Sequence, residues 1–117
     1  PLQVVGDGRN HWAMVNLHDV ADCYLRVIEQ KTSGTFHAVD GTRATLDECA
    51  SAVAPKGRIE HVPADAARQK MGPFTDALVV DQQISSEATR RQLRWMPRRT
   101  FLASIDEQWR EWREAHT

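Results

Sequence analysis

The sequence predicts a small mixed α+β fold built as a single domain over residues 1–117. Two observations carry that expectation. Apolar residues recur at helical spacing in three stretches, around 20–28, 46–54 and 101–112. Between and beside them lie short apolar runs bounded by Gly, Asp, Asn and Pro, the pattern of strands closed by turns.

Leu2 to Val5 reads as a first strand, and Gly6-Asp7-Gly8-Arg9-Asn10 as a turn. Trp12 to Leu17 is a second apolar run, so the two predict a hairpin. Asp19 is the expected N-cap of a helix, since its carboxylate can accept from first-turn amides. Val20, Cys23, Tyr24, Val27 and Ile28 form its expected buried stripe, and Ser33-Gly34 its end.

Thr35 to Val39 predicts a strand. Thr45 and Glu48 form a capping box before the stripe Leu46, Cys49, Ala50, Val53 and Ala54. Arg58 to Val62 predicts the returning strand, so 35–62 reads as a parallel βαβ unit. Asp65 to Lys70 is expected to make one helical turn. Ala77 to Ile84 reads as a strand. Ser85 or Ser86 caps a short helix that stops near Trp95, before Pro97. Thr100 opens a last helix with Phe101, Ile105, Trp109 and Trp112 on one face.

Composition narrows the function. The net charge is -1, which points to no polyanionic partner. No apolar run approaches the ~18–20 residues of a membrane helix. Cys23 and Cys49 lie on helix stripes and read as small buried hydrophobes, which fits a reducing, cytoplasmic setting. Histidines 11, 18, 37, 61 and 116 match no zinc spacing, although His37 and His61 would face each other if the two βαβ strands pair. Ser85 and Ser86 lack a nucleophile elbow. Arg90, Arg91, Arg94, Arg98 and Arg99 surround a lone Trp95, which reads as a solvated face rather than a nucleic-acid surface. The opening at Pro1, without an initiator Met, is expected to lie inside a longer chain.

Three stretches, in this order, carry a resemblance. They are Gly6 through Asp22, then Gly34-Thr35-Phe36-His37-Ala38-Val39 with Thr45 to Glu48, then Val80-Asp81 with Ser86 through Pro97. Together they resemble the C-terminal, substrate-binding portion of extended short-chain dehydrogenases, the NAD-dependent epimerase/dehydratase family. Asn16 stands where that family commonly has His or Tyr, and Arg94 where it has Gly.

The resemblance implies a lobe without a complete Rossmann domain. Gly6-Asp7-Gly8 lacks the third glycine and the following helix of a dinucleotide fingerprint. The family's Tyr with a Lys four residues on has no counterpart, since Tyr24 is followed at that distance by Ile28. The chain is therefore expected to bind no cofactor and hold no catalytic residue. NAD or NADP would belong to a full-length parent oxidoreductase or epimerase. Trp12 stands where nucleotide-sugar members carry a phosphate-binding Arg, so the expected substrate is a small molecule other than a nucleotide sugar. Trp12, Asn16 and His11 are the expected substrate-binding residues. The expected partners are a missing Rossmann half or a second copy. The alternative is a standalone ligand-binding or self-associating module derived from the same lobe.

Overall fold

The computed structural model describes the backbone of residues 1–117 and the side chains of all but Pro55. Its elements are β1 (Leu2–Val5), α1 (Leu17–Glu29), α2 (Leu46–Val53), β2 (Ile59–Val62), α3 (Ala64–Met71), α4 (Phe74–Val79), α5 (Glu87–Leu93) and α6 (Phe101–Ala115). A short 3-10 turn, Pro55–Gly57, joins α2 to β2. The fold is thus small, mixed and α+β. The chain forms two compact units, one of residues 1–12 and 43–83 and the other of 13–42 and 84–117.

The first unit holds the sheet. β1 pairs in parallel with β2, with Leu2 beside Ile59 and Val5 beside Val62. Parallel strands need a crossover, and α2 supplies the packing layer. Val4, Leu46 and Ala50 form its core, with Trp12 and Ile59 against them. Thr45 caps α2, its hydroxyl accepting from the Glu48 amide at 3.3 Å. The α2 amides of Leu46 and Asp47 donate to the carbonyls of Asn10 and Gly8. This seats the turn on the helix start so closely that a Cβ at Gly8 would lie 1.8 Å from the Asp47 carboxylate. The positive φ of 70° there adds a second reason for glycine. In α3 and α4, Arg68 pairs with Asp76.

The second unit is helical. Cys23, Leu93 and Trp95 are its buried centre, with Val15, Val27, Phe36 and Ala38 against them. Asp40 is also buried, and its carboxylate accepts from the Phe101 amide at the start of α6. That negative charge sits at the positive end of the longest helix. Thr100 caps the same helix, accepting from the Ala103 amide at 3.3 Å.

Several expectations are corrected. The turn at 6–10 forms, but no hairpin follows it: β1 pairs with β2 instead, and residues 11–16 form no strand. Thr35–Ala38 alternates in burial, yet the segment 35–39 is not a strand. Its carbonyls go to side chains, with Thr89 Oγ1 donating to His37 O and Ser86 Oγ to Val39 O. The βαβ unit over 35–62 is therefore replaced by β1–α2–β2, and no strand pairing brings His37 to His61. Residues 77–84 split into the end of α4 and a run without regular structure, since a short apolar segment looks alike for helix and strand. The turn expected over 65–70 is a full helix, α3.

α1 differs in its cap and in its face. Asn16, not Asp19, is the N-cap, accepting from the His18 amide at 2.8 Å. Cys23 is buried as expected, but Tyr24 is 69% and Ile28 71% exposed. Helical period fixes which residues share a stripe; it does not fix how wide a strip the neighbours cover. α5 ends where expected, and Arg94 takes the left-handed conformation at φ 53° and ψ 33°. Side chains of α1 meet the exposed carbonyls there. Arg26 Nη1 donates to Leu93 O and Arg94 O, and Gln30 Nε2 donates to Leu93 O. These bonds satisfy the carbonyls at the helix end, beside a position that glycine usually fills.

Candidate functional site

The densest polar constellation of the first unit joins two segments distant in sequence, residues 10–12 and 78–83. Asn10 Nδ2 donates to the carbonyls of Leu78 and Val80, each at 3.1 Å. Trp12 Nε1 donates to Leu78 O at 3.0 Å. The Gln82 amide donates to His11 O at 2.8 Å. The C-terminal end of α4 and the run after it are thus clipped to the turn that follows β1.

His11 sits at the centre of the clip. Asp81 Oδ1 accepts from the His11 amide at 2.8 Å and lies 2.7 Å from Nδ1 of the same ring. Gln83 Nε2 donates to the other carboxylate oxygen at 2.7 Å. The Gln83 amide and then the His11 ring and backbone hold the Asp81 carboxyl below its ordinary range. A carboxylate on Nδ1 fixes the imidazole orientation and favours the tautomer with a proton there. Nε2 is then the atom left to accept a proton or a hydrogen bond from a ligand. The ring is about a quarter exposed, with its side chain at 23%.

A pH dependence follows. The folded chain holds Asp81 more acidic than the unfolded chain does, so the clip's contribution is present above the usual carboxylate range. It is lost as the pH falls through the lowered value. The protection of the His11 and Gln82 amides, their exchange measured against the intrinsic rate at each pH, is expected to be high at neutral pH and to fall on acidification. Asp81→Asn should flatten that profile. Equal acid sensitivity in wild type and variant would remove Asp81 as the cause.

Of the three expected substrate-binding residues, two come together. His11 and Trp12 are neighbours in the clip. The Trp12 ring rests half-buried against the core of the first unit. Asn16 belongs to the second unit, is buried, and spends its side-chain oxygen on the cap of α1. Asp81 was missed as the partner of His11. No local spacing could reveal it, because 70 residues separate the pair.

Two further histidines find carboxylates, each within its own unit. His61 Nε2 lies 2.8 Å from Asp47 Oδ1, and His18 Nε2 lies 3.2 Å from Glu111. Among the described residues no three His, Cys, Asp or Glu side chains gather as metal ligands. Both cysteines are buried, and burial, with Asp22 adding to it, raises the Cys23 thiol above its ordinary range. That disfavours the reactive thiolate. Among the described residues no helix is long and apolar enough to cross a membrane.

The second unit locks the sequence's unusual segments together through Asp19. This carboxylate is 4% exposed. It accepts from the Arg98 and Arg99 amides at 3.0 and 2.9 Å and from Arg99 Nη1 at 3.2 Å. The Asp19 carbonyl accepts from Trp95 Nε1 at 2.8 Å.

Comparison with known proteins finds long relatives of unstated role. The chain is 31% identical over 101 residues to uncharacterized protein YLL056C of Saccharomyces cerevisiae, a match covering 84% of this chain and 34% of that protein. It is 29% identical over 101 residues to uncharacterized protein C2A9.02 of Schizosaccharomyces pombe, with the same two shares. The chain therefore spans about a third of the length of the curated relatives it matches. No protein-family model matches the chain. No solved structure matches it either.

Proposed function

We propose that this chain is the substrate-side C-terminal part of a longer NAD(P)-dependent oxidoreductase or epimerase/dehydratase of the extended short-chain dehydrogenase type. The observation that carries the reading lies in the second unit. There, parts of the three stretches that resemble that family bind one another. Asp19, from the first, holds Trp95 from the third, with Arg98 and Arg99 just beyond it. His37 and Val39, from the second, hold Thr89 and Ser86 from the third. Three segments that resemble one family in sequence and also interlock in space favour a shared origin over three chance matches.

In this reading the cofactor, NAD or NADP, and the acid–base chemistry belong to a portion outside this chain. This chain contributes His11 and Trp12 toward a small substrate that is not a nucleotide sugar. The indole offers an apolar edge, and His11 offers an imidazole already oriented by Asp81.

The test is a blot of native-host lysate with an antibody against this chain, followed by retention of the detected protein on a nicotinamide-cofactor resin. A Rossmann portion adds roughly 150–200 residues, so the band should run well above 13.3 kDa and elute with NAD(P)H. A band at the size of this chain, not retained, would overturn the proposal.

A further inference from the structure

The last helix is inside out. Ser104, Gln108 and Glu111 recur along one side of α6, and this polar side meets its own unit at Ser104 and at Glu111. Ser104 is buried, Gln108 Nε2 donates to Ser104 Oγ at 2.7 Å, and Glu111 lies 3.2 Å from His18 of α1. The apolar side faces away. Leu102, Ile105, Trp109, Trp112 and His116 follow one another at alternating intervals of four and three, the spacing of a coiled-coil seam. Leu102, Trp109 and Trp112 are 39%, 54% and 52% exposed, and Ile105 is half-buried. The Trp109 and Trp112 rings stack at 5.2 Å and 5°, and His116 stacks on Trp112 at 4.4 Å. A helix whose buried residue is a serine, and whose aromatic stripe lies open to solvent, has the face of an interface.

We propose that the covering partner is a second copy of this chain, with α6 packed antiparallel on α6 of its mate. The charges beside the seam select this occupant. Asp106 and Arg113 both flank the seam on the same side, both are exposed, and neither forms an ion pair among the described residues. When Trp109 of one copy packs on Trp112 of the other in an antiparallel pair, the two-fold axis brings Asp106 opposite the mate's Arg113. The same axis brings Arg113 opposite the mate's Asp106. One helix thus carries both halves of two identical ion pairs, as an isologous interface requires. A parallel pairing in register would instead set Asp106 beside the mate's Phe101 and Arg113 beside its Gln108, and would form neither ion pair.

The area sets the strength. Four half-exposed indoles bury on the order of 500 Å² of aromatic surface. That is below the ~1,200 Å² of standard interfaces, so the pair should form and separate across the micromolar range. This inference does not depend on the oxidoreductase reading, and its test uses no cofactor.

The test is sedimentation equilibrium of this chain over that range, with charge-reversal variants. The apparent mass should climb from 13.3 kDa toward twice that value. Asp106→Arg and Arg113→Asp should each weaken association at least about tenfold, because each makes both pairs repulsive. An equimolar mixture of the two variants should associate again, since each mate now complements the other. A variant that failed to fold would not be rescued by mixing. A wild-type chain that stays monomeric throughout, or a dimer indifferent to both reversals, would overturn the proposal.

Discussion

Trp95→Ala should lower the stability of the chain by about 3–5 kcal/mol, the largest loss expected of any single substitution. Trp95 is 1% exposed and lies against Leu93, which is fully buried, and Cys23. Removing the indole opens a cavity at the centre of the second unit. It also leaves the Asp19 carbonyl without the Nε1 donor it holds at 2.8 Å. Domains of this kind have only about 5–15 kcal/mol to lose. The variant is therefore expected to show a strongly shifted urea midpoint by circular dichroism. Trp95→Phe separates the two contributions. It keeps most of the apolar volume and loses the donor, so it should cost about 1–3 kcal/mol. Equal losses for Ala and Phe would mean that the hydrogen bond, not the packing, fixes the ring. A loss below about 1 kcal/mol for Ala would place Trp95 outside the core in solution.

Asp19→Ala should cost about 2–4 kcal/mol, for a different reason. Its carboxylate is buried and serves two backbone amides as well as the Arg99 guanidinium. The Arg99 side chain is 33% exposed, so solvent screens much of that ion pair. The amides of Arg98 and Arg99 have no such relief, and they fix the chain just before α6. Asp19→Asn keeps an acceptor oxygen and should lose less than Asp19→Ala. A double-mutant cycle with Arg99→Ala isolates the ion pair, and the coupling should be under about 1 kcal/mol. A coupling as large as the whole Asp19→Ala loss would assign the stability to the charge pair instead.

These two positions show what could be read from the chain and what could not. A carboxylate at position 19 beside a helix start was legible, but its role was misplaced. Local chemistry made Asp19 the cap, whereas Asn16 holds the cap and Asp19 reaches Arg99, 80 residues away. Likewise, His11 and Trp12 stood out by type and position, while Asp81 did not. A hydrogen bond across 70 residues leaves no spacing to detect. Thr45 as a cap and Thr100 as the start of the last helix are both legible in the sequence, because a cap satisfies amides within its own first turn. The strand expected at 35–39 failed because alternating burial reports a half-covered surface, and a ladder needs a second strand as well.

The sequence by itself determined the mixed α+β class, the starts of α2 and α6, the turn at 6–10 and the burial of both cysteines. Each follows from bonds or periodicity confined to a few neighbouring residues. Only the tertiary structure decided that β1 pairs with β2, that His11 meets Asp81, and that Tyr24, Trp109 and Trp112 lie open to solvent. These outcomes depend on which surfaces meet after long loops close. Periodicity gives a helix its apolar side but does not name the surface that will cover it. In α6 the buried residue is a serine, Ser104, because the helix is tied to its unit through its first amides, on Asp40, and through Glu111 beside His18.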